Sequence, residues 1–138
     1  MMKTFKRVFS VVVGLLCLFI VSVSFAGHPE ITRISIDEMK KLIDAKSDVI
    51  ILDVQLRDMY DKGHIKGALS FPWKAEVTDA DVEKLAKDKL IVTYCDCGPG
   101  EADSSDLANQ LIGLGFANVK VLGDPAIRGW KKAGYPVE

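Results

Sequence analysis

The chain has 138 residues, 49% of them hydrophobic and 27% charged, with 18 basic and 19 acidic side chains and a net charge of −1. That length holds one domain with a sizeable core and is short for two. A chain this close to neutral lacks the basic surplus that marks a nucleic-acid binder.

Lys3, Lys6 and Arg7 open the chain, and Val8 to Val23 is apolar apart from Ser10, Gly14 and Ser22. Ser24-Phe25-Ala26 then offers small residues at both positions that a signal peptidase reads. Residues 1–26 therefore read as a secretory signal peptide, cleaved after Ala26. The apolar stretch borders on the length of about 20 residues that spans a bilayer, so an uncleaved membrane anchor is the alternative. Cys17 follows Leu16, without the small preceding residue of a lipid-attachment cysteine, and leaves with the signal. The mature domain is then 27–138, exported to a periplasm or beyond. Its basic residues fall from 18 to 15 while the 19 acidic ones remain, a net charge of about −4. Membrane contact is expected only through the first segment, nucleic acid is not expected as a partner, and the domain is expected to be a monomer. Terminal sequencing of the exported protein should begin at Gly27. An intact Met1 would mark the anchored form.

Ser35-Ile36-Asp37-Glu38 has the capping-box spacing, and Met39, Leu42 and Ile43 continue it as a helix ending near Ala45. Asp48 to Val54 is almost continuously apolar, as suits a central strand of a parallel sheet covered on both faces. Asp53, near its end, is the odd residue and reads as a structural acceptor for backbone N–H groups. Arg57 to Lys62 suits a short helix or turn, and Gly63 to Ala68 a tight connection bracketed by glycines. Leu69 to Trp73 predicts a strand stopped by Pro72, and Thr78 caps a helix through about Lys87. Leu90 to Tyr94 is a further strand. A helix resumes after Gly98-Pro99-Gly100, carries Leu107, Ala108, Leu111 and Leu114, and stops at Gly115. Asn118 to Leu122 is a last strand and Ala126 to Ala133 a last helix with Trp130. Alternating strands and helices define an α/β domain with a mainly parallel sheet.

Cys95 thus sits where a buried strand ends and a helix is about to begin. Ligands of open α/β sheets bind there, and a helix N-terminus favours the thiolate, which is the nucleophilic form. Burial as an inert core residue is the competing reading. Cys97 is the other cysteine left after processing. A bridge between residues so close would close a tiny ring and staple nothing distant, so the pair points to sulfur or redox chemistry. Zinc would need four ligands at suitable spacing, and His28 and His64 are the only histidines, so no metal and no cofactor is expected.

Asp53-Val54, Tyr60, Gly63-His64-Ile65, Gly67-Ala68 and Pro72 resemble the first signature of the rhodanese-like sulfurtransferase family. Tyr94-Cys95, Leu111, Gly115-Phe116, Asn118-Val119, Leu122-Gly123, Trp130 and Gly134-Tyr135-Pro136-Val137 resemble the second. The resemblance spans Ile34 to Glu138. It implies a three-layer α/β domain whose mainly parallel central sheet is flanked by helices. It also implies that Cys95 is the nucleophile, taking sulfane sulfur from a small donor as a persulfide and passing it to a thiol or protein acceptor. Asp96, Cys97, Gly98, Pro99, Gly100 and Glu101 would form a cradle of inward N–H groups around that anionic sulfur.

Three departures bear on substrate. The loop ends in Glu101 where the family commonly carries a basic residue, so its side-chain charge is negative and anionic donors such as thiosulfate should bind less well. The connection from Cys95 to Gly115 is long. Gln55 stands where arginine is typical, and Asp124-Pro125 where a second glycine is typical. A related cysteine-loop phosphatase would need a loop arginine for the phosphoryl oxygens, and no basic residue occurs between Cys95 and Lys120. Cys97 is either a spectator or the thiol that resolves the persulfide. A thiol redox protein using both cysteines, or a binding module that keeps only the fold, are the other readings. His64 is expected to hold its turn through a ring N–H, and Trp73 to border the pocket mouth.

Overall fold

The computed structural model describes residues 30–138. The segment read as a signal peptide, its expected cleavage site and His28 lie outside them. Strands β1 (Arg33–Ile34), β2 (Val49–Asp53), β3 (Leu69–Ser70), β4 (Leu90–Tyr94) and β5 (Val119–Leu122) form one sheet in the order β1-β5-β4-β2-β3. All four pairings are parallel. The helices are α1 (Ile36–Asp44), α2 (Arg57–Tyr60), α3 (Asp79–Val82), α4 (Ala102–Gly113) and α5 (Ala126–Lys132).

The apolar runs behave as a two-sided sheet requires, with successive side chains on opposite faces. Leu52, Ile91, Val119 and Val121 pack on one side with Leu107, Ala108 and Leu111 of α4 and Val82 of α3. Ile51, Val92, Tyr94 and Leu122 pack on the other with Met39 of α1 and Ile127 and Trp130 of α5. The result is the three-layer arrangement. Truncating a fully buried Leu111 to alanine in such a core costs about 2–5 kcal/mol.

Local signals hold where they are strong. Ser35 caps α1 with both halves of the capping box formed. The expected strand from Leu69 to Trp73 is shorter, because only Leu69 and Ser70 reach the sheet edge. Beyond it Phe71 and Trp73 donate single backbone bonds to Asp53 and Val54. The helix from Thr78 ends at Val82 instead of near Lys87, although its capping box forms. Arg33-Ile34, which carries no strand pattern, becomes an edge strand because β5 offers it a backbone ladder.

Below the site, Asp53 is fully buried and well satisfied. It accepts from the Gln55 backbone N–H at 2.9 Å, from the Gln55 side-chain amide at 3.1 Å and from the Tyr94 hydroxyl at 2.6 Å. Gln55 thereby meets the Asp53 carboxylate with a neutral amide. Tyr94 in turn accepts the Ile65 N–H at 3.0 Å. Burial and the Asp53 carboxylate hold its phenol far above the usual range, so it stays a donor. Tyr94→Phe strands both the carboxylate oxygen and the Ile65 N–H. It should lower stability by about 1–3 kcal/mol, read as a lower urea midpoint at unchanged slope.

Candidate functional site

In an all-parallel sheet every strand delivers its following loop to the same edge, and the crevice forms there. The segments after β2, β3, β4 and β5 meet at that edge. A pocket of about 360 Å³ opens among those after β2, β3 and β4. Val54, Gln55, Leu56 and Met59 line one wall, Trp73 borders the mouth, and Cys95, Asp96, Cys97 and Asp103 line the other. Leu56 is 68% exposed and Trp73 46%, so the rim is apolar and open. The Trp73 indole N–H donates to Asp106 of α4 at 2.9 Å, which fixes the ring across the opening.

Cys95 directly follows β4 and is buried, while Cys97 reaches the surface. Their sulfurs are joined as a disulfide across Cα atoms 5.6 Å apart. Gly98 and Gly100 adopt φ of +84° and +92°, conformations that side chains disfavour, and the chain can turn back there because neither has a Cβ. Pro99 and Gly100 face solvent.

Glu101 departs from the sequence expectation. The sequence reads the loop-end carboxylate as a full negative charge flanking the cradle, whereas in the structure it is 0% exposed. Its backbone takes φ +50°, ψ +58°, left-handed for a non-glycine residue, and this turns the side chain back under the loop. Oε2 lies 3.0 Å from Cys95 Sγ and 3.4 Å from Cys95 N, while Oε1 is buried without a partner. The Cys95 N–H, one donor of the expected cradle, thus points at the chain's own carboxylate. Burial pushes the Glu101 carboxyl up to about 7. The Cys95 N–H and Arg128 oppose that rise, and Asp124 and Asp96 add to it. An unfolded glutamate titrates near 4.5. Between the two values the native state binds the proton more tightly. Glu101 therefore contributes stability in full below about pH 4.5, and that contribution is lost as pH rises to about 7. Chemical denaturation at pH 5 and pH 8 should show this slope, and Glu101→Gln should remove it.

Three further residues shape the site, and sequence spacing does not reveal them. Arg33 of β1 donates to the Gly100 carbonyl at 3.0 Å and to Ser105 at 3.2 Å, pinning the far side of the loop. Arg128 of α5 pairs with Asp96 at 2.8 Å and with Asp124 at 3.3 Å. The turn containing Asp124 therefore faces the cysteine loop. Buried Ser104 donates to the Glu101 carbonyl at 3.1 Å and sits 3.6 Å from Cys95 Sγ. The Arg33 contacts reach up to 72 positions along the chain and the Arg128–Asp96 pair joins different elements, and no local pattern encodes either. His64 holds its turn as expected, with Nδ1 3.0 Å from the Tyr60 carbonyl and its ring stacked on Tyr60.

Cys95, Cys97 and Glu101 are also close enough to be considered together as metal donors. With both sulfurs bonded to each other, the trio offers only the carboxylate in this state.

An all-parallel α/β domain with a cysteine at the end of its central strand, inside a glycine-bearing loop that leads into a helix, defines a cysteine-loop protein. The rhodanese-like domain model matches residues 35–133, and the chain belongs to that family. It is 30% identical over 101 residues to the uncharacterized protein YibN of Escherichia coli K12, covering 72% of this chain and 67% of that one. The rhodanese-like domain of Alr3790 from Anabaena superposes with a TM-score of 0.66 at 28% identity, over 79% of this chain and 80% of that one. A thiosulfate sulfurtransferase from Pseudomonas aeruginosa superposes with a TM-score of 0.61 at 25% identity, over 78% of this chain and 20% of that one.

Proposed function

We propose that the protein is a sulfurtransferase in which Cys95 carries sulfane sulfur as a persulfide. The observation that carries this reading is the placement of Cys95, buried at the end of β4 and lining the pocket at the sheet's carboxyl edge. Likeness to a thiosulfate sulfurtransferase supports it. The Cys95 thiolate attacks the outer sulfur of an organic persulfide, R–S–SH. Cys95–S–SH forms and the thiolate RS⁻ leaves to take a proton from solvent. Either an external thiol then takes the outer sulfur, or Cys97 resolves the adduct. In the second route the Cys97 thiolate attacks the inner sulfur, the Cys95–Cys97 bond forms, and hydrosulfide leaves with the two electrons that the cysteines give up. An external dithiol reduces the bridge and is itself oxidised to a disulfide.

The bridge in the structure favours this resolving route, and also a thiol–disulfide exchange that needs no sulfane sulfur. Intact-mass analysis of reduced Cys97→Ser protein, which cannot resolve the adduct internally, after mixing with an organic persulfide, polysulfide or thiosulfate tests the reading. Gain of one sulfur atom, released by dithiol as hydrosulfide, is the expected result. No adduct with any of the three overturns sulfur transfer and leaves dithiol exchange. The proposal places the protein in a periplasmic or extracellular setting, on the reading of residues 1–26 as a signal, where a cysteine pair is oxidised.

A further inference from the structure

We propose that Glu101 is the proton partner of Cys95, taking the thiol proton when Cys95 becomes a nucleophile and returning it when Cys95 leaves a disulfide. The inference rests on the reading of Cys95 as the reactive sulfur, whichever of the two thiol chemistries it serves.

The geometry carries it. A disulfide sulfur has no proton, yet Glu101 Oε2 lies 3.0 Å from Cys95 Sγ. A hydrogen bond across that distance needs a proton from the carboxyl. In the reduced protein the thiol can supply it instead. One proton therefore serves one contact in both states, moving between oxygen and sulfur. The second carboxylate oxygen is buried without a partner, an arrangement costly for a charged group and far less so for a protonated one. The backbone holds Glu101 at φ +50° to make the contact, and Ser104 fixes the Glu101 carbonyl.

The surrounding charges leave room for this exchange. Asp96, two residues before Gly98, is paired with Arg128 of α5, which also holds Asp124 of the β5–α5 turn. Arg33 of β1 spends its guanidinium on the Gly100 carbonyl and Ser105. Asp103 stands on the pocket rim in the first turn of α4. No cation contacts the Cys95–Glu101 pair among the described residues, so thiolate and carboxylate together would be two like charges 3.0 Å apart without an ion-pair partner. Between the two ionisation steps, one of them holds a proton. The upward shift of the Glu101 carboxyl is in keeping with that.

The proton balance follows. Cys95–SH and Glu101–COO⁻ give Cys95–S⁻ and Glu101–COOH, and the thiolate attacks the sulfur donor. In bridge reduction, an external thiolate attacks the accessible Cys97 sulfur, Cys95–S⁻ leaves, and Glu101–COOH protonates it. A buried leaving group is thereby discharged without water reaching it.

The test uses reduced Cys97→Ser protein, so that Cys95 alone reports. Thiolate absorbance and the rate of iodoacetamide alkylation are followed against pH. A thiol and a carboxyl this close titrate as a pair, so ionisation should proceed in two steps with a plateau between them. Adding Glu101→Gln should collapse the curve to one step, with more thiolate than the parent at high pH because the neighbouring charge is gone. In a second measurement on native Glu101, its carboxyl carbon is followed by nuclear magnetic resonance. An inflection at the Cys95 ionisation is expected, and Cys95→Ser should abolish it. This second measurement decides the matter if the glutamine variant does not fold. A one-step curve in the parent, or a Glu101 resonance that titrates identically with and without the Cys95 thiol, overturns the proposal. Neither readout requires a sulfur donor. Failure of sulfur loading is thus distinguishable from failure of proton sharing.

Discussion

Cys95→Ser should take up no sulfane sulfur, while Cys97→Ser should take it up normally and hold it longer. The two outcomes separate a nucleophile from a resolving thiol. A serine hydroxyl at the end of β4 fits the same space but is not ionised at neutral pH, so the covalent route is lost. The expected fall in transfer is on the order of 10³-fold or more. Folding should survive, because the buried site needs only a small side chain and the bridge spans two residues, which constrains the unfolded chain little. In Cys97→Ser the internal attacking group is missing. A neighbouring thiol already within bonding reach has a large effective concentration, so its removal should lengthen the persulfide lifetime at least about tenfold. Time-resolved intact-mass analysis after removal of the donor reads both. Sulfur gained by Cys95→Ser would reassign the nucleophile, and an unchanged lifetime in Cys97→Ser would make that thiol a spectator.

How much of this was legible in the chain depends on the range of the interaction. The capping box at Ser35, the cap at Thr78, the apolar runs of β2 and β4 and the stop at Gly115 are local, and the sequence pattern places them within a residue or two. The position of Cys95 follows from the strand–loop–helix pattern alone. Glu101 was legible as an acid and not as a buried one. Its burial depends on a left-handed backbone at a non-glycine residue and on packing under the loop, neither of which has a sequence period. Arg33 and Arg128 were invisible for the same reason. Each reaches the loop from another strand or helix, and only the sheet order brings them there. The β3 region and α3 fell short of their patterns because edge position and neighbouring loops, not propensity, decide where such short elements end.

The structure changes how loop charge should act on the choice of donor. Glu101 is buried against Cys95 and Asp96 is held by Arg128, so neither is the free charge that the sequence suggests. Asp103 is exposed and lines the pocket, and no lining residue among those described is basic. Thiosulfate, a dianion, therefore approaches an acidic rim without a counter-charge. Each like-charge pair a few ångströms apart costs about 1 kcal/mol in water and more beside the apolar walls of Leu56, Met59 and Trp73. An organic persulfide carries at most one charge and an apolar stem that those walls can cover. The protein should accordingly use organic persulfides with a higher kcat/KM than thiosulfate. Asp103→Arg places a bidentate donor on the rim in place of the carboxylate. It should raise kcat/KM for thiosulfate about tenfold or more, equivalent to about 1.4 kcal/mol, with a smaller change for the organic donor. Added salt should shrink the gain, because the rim is open to solvent. The substitution also removes an acid from the first turn of α4, at a cost of about 0.3–1 kcal/mol in stability that a melting curve would record. Steady-state transfer by both proteins from both donors, at low and high ionic strength, measures the effect. Efficient turnover of thiosulfate by the unaltered protein, or an arginine gain that salt leaves untouched, would show that rim charge does not select the donor.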